Sequence, residues 1–176
     1  MTPPTLATGR LILRPHGVQD CQAVAALWAE PEVVRFISGA PASPEESWTR
    51  LLRYIGHWQA LGYGYWAVTL RESGRFIGEV GFADYQRGME PPLAGVPEAG
   101  WVLAPEVHGQ GIATEAVGRI HQWAEEATDW AETACIFDPA HTASHHVARK
   151  LGYAPAVEAL YKENPTLVMK RPIARR

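Results

Sequence analysis

Cysteine is nearly absent from this chain, with Cys21 and Cys135 the only two among 176 residues. Two thiols build no disulfide framework, and their scarcity points to a reducing compartment. Positive charge is not in excess either. Sixteen Lys and Arg stand against nineteen Asp and Glu, for a net charge of -3. That balance argues against nucleic acid as a main partner and suits a cationic substrate. No apolar run approaches the length of a membrane span. Met1-Thr2-Pro3-Pro4-Thr5 has neither the basic nor the apolar segment of a secretion signal. A cytoplasmic protein that works away from membranes is therefore expected. Repeats, low-complexity tracts and interdomain linkers are also lacking, so a single domain over residues 1–176 is expected.

What is present is the composition of a soluble globular fold: 47% apolar residues against 20% charged ones, enough to fill a core. Arg10 to Pro15 reads as a first strand, stopped by its proline. Asp20 is placed to cap a helix carrying Val24, Leu27 and Trp28. Pro31 suits the first turn of another, with Val33, Val34 and Ile37. Ser43-Pro44-Glu45-Glu46 is a capping box with proline at the first helical position. The helix it opens has an apolar face of Trp48, Leu51, Leu52, Ile55 and Trp58, and Gly62 closes it. The period then becomes strand-like. Tyr65–Leu70 and Phe76–Phe82 flank the turn signal Glu72-Ser73-Gly74-Arg75, and a Pro/Gly-rich connection leads to a strand over Glu98–Leu103.

Pro105 to Ala116 organises the rest. This stretch follows the apolar Trp101-Val102-Leu103 and opens a helix whose Ile112, Ala116, Val117, Ile120, Trp123 and Ala127 recur at helical spacing. A glycine-bearing turn is thus delivered into a helix start, where unpaired N–H groups and the positive end of the helix dipole favour an anion. Gly109 and Gly111 remove side chains that would hold a phosphate at a distance. A P-loop is excluded, since no lysine lies between Pro105 and Ala148. A dinucleotide fingerprint is excluded too, because Thr114 stands where its third glycine belongs. Further on, a strand over 131–137, a helix over 142–151 and a last strand over 166–170 complete the order. The fold class is α/β, with a sheet whose first half is antiparallel and a crossover helix after Leu103.

Several stretches resemble the GNAT superfamily of N-acetyltransferases, in particular its RimJ/RimL-like branch acting on ribosomal-protein N-termini. His108-Gly109-Gln110-Gly111-Ile112-Ala113 is similar to the family's pyrophosphate loop, Gln/Arg-x-x-Gly-x-Gly/Ala, with histidine in its first place. Thr8-Gly9-Arg10-Leu11-Ile12-Leu13-Arg14, Glu98-Ala99-Gly100-Trp101-Val102-Leu103 and Ala113-Thr114-Glu115-Ala116 match the branch in order and spacing. So does Asp138-Pro139-Ala140-His141-Thr142-Ala143-Ser144 followed by Lys150-Leu151-Gly152-Tyr153, with His141 in place of an asparagine. The resemblance runs from about Thr8 to Pro172 and implies a mixed, mostly antiparallel twisted sheet flanked by helices. It also implies acetyl-CoA as acyl donor, without a metal. The acetyl group would pass directly to a primary amine, either a protein N-terminus or a small molecule. The donor would be held by Trp101, Val102, Leu103, His108 to Thr114, His141 and Ser144. With His108 in the loop, cofactor affinity is expected to be weaker or pH-dependent, and His141 can still make one hydrogen bond but not with an amide's geometry.

Acetyl transfer needs a neutral amine, and amines are mostly protonated at neutral pH, so a carboxylate must take the proton. Glu98 and Glu79 are the acidic residues of the central strands and the candidates for that base. Ser144 matches a family serine near the leaving sulfur, and Ala148 stands where many relatives carry a tyrosine acid. Two alternatives compete. One is a non-catalytic acyl-CoA-binding or sensor module on the same fold. The other is a metal site from Cys135, His141, His145 and His146, for which the chain offers no Cys-x-x-Cys. Trp28, Trp48, Trp58 and Trp123 lie on apolar helix stripes and are assigned to the core. A homodimer stays open.

Overall fold

The computed structural model describes residues 3–93 and 95–174. Among the described residues nine strands form one sheet in the order β1-β2-β3-β4-β6-β7-β9-β8-β5. They are β1 (Leu6–Ala7), β2 (Leu11–Pro15), β3 (Tyr65–Leu70), β4 (Phe76–Ala83), β5 (Met89–Glu90), β6 (Glu98–Leu103), β7 (Glu132–Phe137), β8 (Ala156–Tyr161) and β9 (Asn164–Pro172). The helices are α1 (Cys21–Ala29), α2 (Pro31–Val34), α3 (Pro44–Leu61), α4 (Ile112–Ala127) and α5 (Thr142–Lys150). Every pairing is antiparallel except β6 with β7, which α4 connects as a crossover. The expected α/β architecture is the observed one. Among the described residues no helix is long and apolar enough to cross a membrane.

Each face of the central sheet has its own helical cover. On one face, Ile112, Ala116, Val117, Ile120 and Trp123 of α4 pack on Val80, Phe82, Ala99 and Leu103. On the other, α1, α2 and α3 bring Val24, Trp28, Val34 and Leu51 against Phe76 and Val102. Strand alternation therefore turns Glu98, Gly100 and Val102 towards α1 and α3, and Ala99, Trp101 and Leu103 towards α4.

α3 starts as its sequence dictates. Ser43 accepts from the Glu46 amide, Glu46 accepts from the Ser43 amide at 2.7 Å, and Gly62 ends the helix at φ 76°. Four expectations are corrected. α2 is one turn long, and Ile37 lies beyond it, half exposed. The buried face of α3 is Ser47, Leu51, Tyr54 and Trp58, while Trp48 (39% exposed) and Leu52 (44%) face outward. Apolar spacing gave the helix but not its rotation, because Tyr54 outcompetes Trp48 by stacking on Tyr65. Asp20 does not cap α1. Its carboxylate accepts from the Gly17 amide and both Arg14 guanidinium nitrogens, closing the 3-10 turn before the helix. β8 and the two-residue β5, unread in the sequence, pair with each other and extend the sheet beyond β9.

Candidate active site

The sheet comes apart at one seam. β6 and β7 bridge only through Glu98 and Ala134, and beyond that pair the strands diverge. Along β6, the Ala104 amide bonds Ile77, so alternation of the ladder gives the amides of Val102 and Gly100 to β4 as well. The N–H and C=O of Trp101 are then turned the other way, into the gap. Gly100, Trp101 and Val102 are accordingly half-exposed although β6 lies mid-sheet. A strand edge with free backbone groups inside a sheet is a site for a ligand that can complete the ladder.

The gap leads to the glycine turn. Gly109 and Gly111 sit at φ 74° and 76°, the left-handed region that side chains disfavour, and a Cβ at Gly109 would project into open space. Gly111 is the N-cap of α4 and offers no side-chain oxygen, so the amides of Ile112, Ala113 and Thr114 have no partner within the helix. Gln110 is turned back: its side chain donates to the Glu106 carbonyl, and its own carbonyl accepts from Arg10. Arg10 also meets Glu115 at 2.7 Å, and Thr8 donates to the same carboxylate. Burial alone would raise the Glu115 pKa, but Thr8 and Arg10 together hold it below the ordinary range. Two motifs a hundred residues apart are thus one device, stapling the turn to β2.

His108 and His141 occupy opposite walls. His108 Nε2 donates to the Leu103 carbonyl at 2.8 Å, which fixes the ring against β6, and its Nδ1 lies 3.9 Å from Glu32. His141 begins α5, stacks on Phe36 with ring centroids 4.8 Å apart, and lies 3.4 Å from the buried Ser144 hydroxyl. Burial and the neighbouring His108 lower the His141 pKa against the upward pull of Asp138. Both histidines stay in the α2 neighbourhood through Glu32 and Phe36. Among the described residues no three His, Cys, Asp or Glu side chains gather as a metal centre requires, and Cys135 is buried in β7 with its thiol pKa pushed up by burial.

Both candidate bases lie on the α1/α3 face, in registers Glu79↔Val102 and Ala83↔Glu98. Their surroundings differ. Glu79 is fully buried in the middle of the sheet, not at an edge, and its Oε1 accepts from Trp28 Nε1 at 2.6 Å and Tyr54 Oη at 2.8 Å. Its Oε2 is 3.3 Å from His16 Nε2. A bulge lies close by: Ile77 is the extra residue as β4 passes from Val68 to Thr69 of β3. Glu98 stands at the closed end of the gap, with both oxygens on Arg87, at 2.7 Å from Nε and 2.9 Å from a terminal nitrogen. Between the two carboxylates lies Tyr65. Its ring crosses Gly81, its hydroxyl fills the space a Gly100 side chain would need, and it stacks on Tyr54. Burial, then Tyr85, lifts the Tyr65 pKa well above its usual value, so the hydroxyl keeps its proton. Tyr65, Tyr85 and Arg87 were not singled out in the sequence. Only the paired glycines, Gly81 and Gly100, hinted that something bulky crosses these strands.

A split between two parallel strands, leading to a glycine turn at a helix start, defines an acyltransferase architecture. The sequence profile of the acetyltransferase (GNAT) domain matches residues 10–154, and the chain belongs to that family. It is similar to the uncharacterized N-acetyltransferase YoaA of Bacillus subtilis (strain 168), with 24% identity over 151 residues, 85% of this chain and 82% of that protein. The acetyltransferase from Agrobacterium tumefaciens str. C58 superposes with a TM-score of 0.83 at 27% identity, covering 97% of this chain and 95% of that one. RimL, a ribosomal L7/L12 alpha-N-protein acetyltransferase solved with coenzyme A, superposes with a TM-score of 0.78 at 16% identity, covering 97% and 98%. The chain is an acetyl-CoA-dependent acetyltransferase, and the reading as a non-catalytic sensor module is set aside.

Proposed function

We propose that the enzyme moves the acetyl group of acetyl-CoA directly onto a primary amine, with Glu98 as the proton acceptor. The carrying observation is the position of Glu98: at the closed end of the β6–β7 gap, facing α1 and α3, beside a pocket of about 120 Å³. The pyrophosphate would lie on the amides at Gly109 to Thr114. The pantetheine arm would run along Trp101, Val102 and Leu103, between His108 on one wall and His141 and Ser144 on the other. Free Trp101 backbone groups fit the amides of that arm.

The chemistry balances as follows. An ammonium acceptor loses one proton to Glu98, directly or through water. The free amine attacks the thioester carbonyl, the C–N bond forms, and the C–S bond breaks. The thiolate leaves and ends as the thiol with the second amine proton. Glu79 instead anchors α1 and α3 to β4, since its oxygens already face Trp28, Tyr54 and His16. RimL's own designation is that of a protein N-terminal acetyltransferase, so N-terminal peptides belong beside small amines in the test. Purified enzyme with acetyl-CoA is assayed for thiol release and acetylated product across peptides, amino acids, polyamines and simple amines. Thiol release only by hydrolysis, with no acetylated amine, would remove this reading.

A further inference from the structure

We infer that the acceptor is a small amine carrying its own anionic group, such as an amino acid, which exchanges partners with the Arg87–Glu98 ion pair. This deepens the proposed amine transfer and rests on it. The pair lines the pocket beside the closed end of the gap, where the proposed transfer puts the amine. Glu98 and Arg87 both line it, together with Asp84, Tyr85, Leu93 and Val96. The carboxylate is 9% exposed and the Arg87 side chain 21%, and the contact is bidentate. Arg87 is also fixed from both sides, 4.4 Å over the Tyr85 ring and 4.9 Å over that of Tyr161.

While the guanidinium engages both Glu98 oxygens, an incoming ammonium finds neither of them free to accept it. Arg87 must let go before the base can act. A purely cationic amine can compete for Glu98, but it takes away the bidentate partner of a guanidinium that is only 21% exposed, which is unfavourable. A zwitterionic acceptor satisfies both halves. Its ammonium takes Glu98, its carboxylate or phosphate takes the fork of Arg87, and the charge in the pocket is unchanged. Arg53 also lies 5.1 Å from the centre of the Tyr85 ring and adds positive charge to this neighbourhood. The aromatic walls keep Arg87 planar and aimed, a geometry suited to a carboxylate rather than to a point charge. A protein N-terminus has an amide where such an acceptor has its anion, and so cannot make the exchange.

The test uses amines in matched pairs: L-serine with ethanolamine, L-phenylalanine with phenethylamine, O-phosphoethanolamine with ethanolamine, and L-serine with a seryl peptide amide. Rates are compared as kcat/KM at equal free-amine concentration. In the wild-type enzyme the anionic member of at least one pair should lead by on the order of a hundredfold. Arg87→Met should bring the two members of that pair together, mainly through KM. Arg87→Lys should retain part of the preference, and coenzyme A binding by calorimetry reports that each variant is folded. Equal rates in the wild type, a lead for the peptide amide, or an undiminished preference in folded Arg87→Met overturns the inference. If no member of any pair is acetylated while another amine of the wider panel is, this inference falls and amine transfer stands; if no amine of either set is acetylated while coenzyme A still binds, both fall.

Discussion

Glu79 and Glu98 are the same residue type on the same face of neighbouring strands, yet their neighbours assign them different work. Glu79 accepts hydrogen bonds from Trp28 and Tyr54 and is fully buried. Glu98 is held by Arg87 and has a pocket beside it. Glu98→Gln keeps the shape and can still accept from Arg87, but it cannot take a proton. It should lower kcat by about a hundred- to ten-thousandfold, leave coenzyme A affinity nearly unchanged, and lose part of that deficit at high pH. Glu79→Gln should instead lower stability, by about 2 kcal/mol, because two buried donors lose an anionic acceptor. Denaturant unfolding and steady-state rates on both variants check the pair. A larger loss of turnover in folded Glu79→Gln would move the proton-accepting role to Glu79.

At the scale of elements, the parts with local causes were legible. The capping box at Ser43, the glycine stop at Gly62, the hairpin after Leu70 and the glycine turn before α4 all depend on neighbours in sequence. The parts decided by distant contacts were not. β8 is exposed over most of its length and shows no alternation, so only its pairing with β9 makes it a strand. Arg87 sits in a Pro/Gly-rich connection, and its meeting with Glu98 and Tyr161 exists only once β5 has joined β8. Trp48 looked like core because its spacing to Leu51 and Leu52 is helical, yet spacing does not say which flank turns inward. The α4 turn, being legible, also gives a sharp expectation. Gly111→Val forces a β-branched residue to φ 76°, at a cost of about 1–3 kcal/mol, and sets methyl groups beside the free amides. Coenzyme A affinity should fall by tenfold or more while the melting profile stays cooperative. Unchanged affinity in the folded variant would place the pyrophosphate elsewhere.

For the molecule as a whole, the open seam between β6 and β7 has to be held by something other than a β6–β7 ladder. A buried polar knot under α4 does this. His121 Nδ1 donates to the Val117 carbonyl, and its Nε2 is 2.8 Å from the Tyr153 hydroxyl, which is itself 2.8 Å from the Thr133 hydroxyl. With Nδ1 donating, Nε2 accepts from Tyr153, and Tyr153 accepts from Thr133, so one neutral tautomer satisfies every member. The knot joins α4, β7 and the turn after α5, and it therefore fixes one wall of the gap. Burial lowers the His121 pKa from 6.5 to about 4. A depressed folded value means the unfolded chain takes up the proton first. The stabilisation is complete above the unfolded value and is lost as pH falls from about 6.5 to 4, by about 3 kcal/mol in all. Asp20 and Glu115, whose pKa values are also lowered, act in the range of ordinary carboxylates and below, so their loss comes later. His121→Gln stays neutral at every pH. It should be less stable than wild type at pH 7 and should decline less steeply between pH 6.5 and about 4.5, where His141, whose pKa is also lowered, contributes to both proteins. Urea unfolding at half-unit pH steps reads the difference directly, and parallel slopes for the two proteins over that window would show that His121 is not the group taking up the proton.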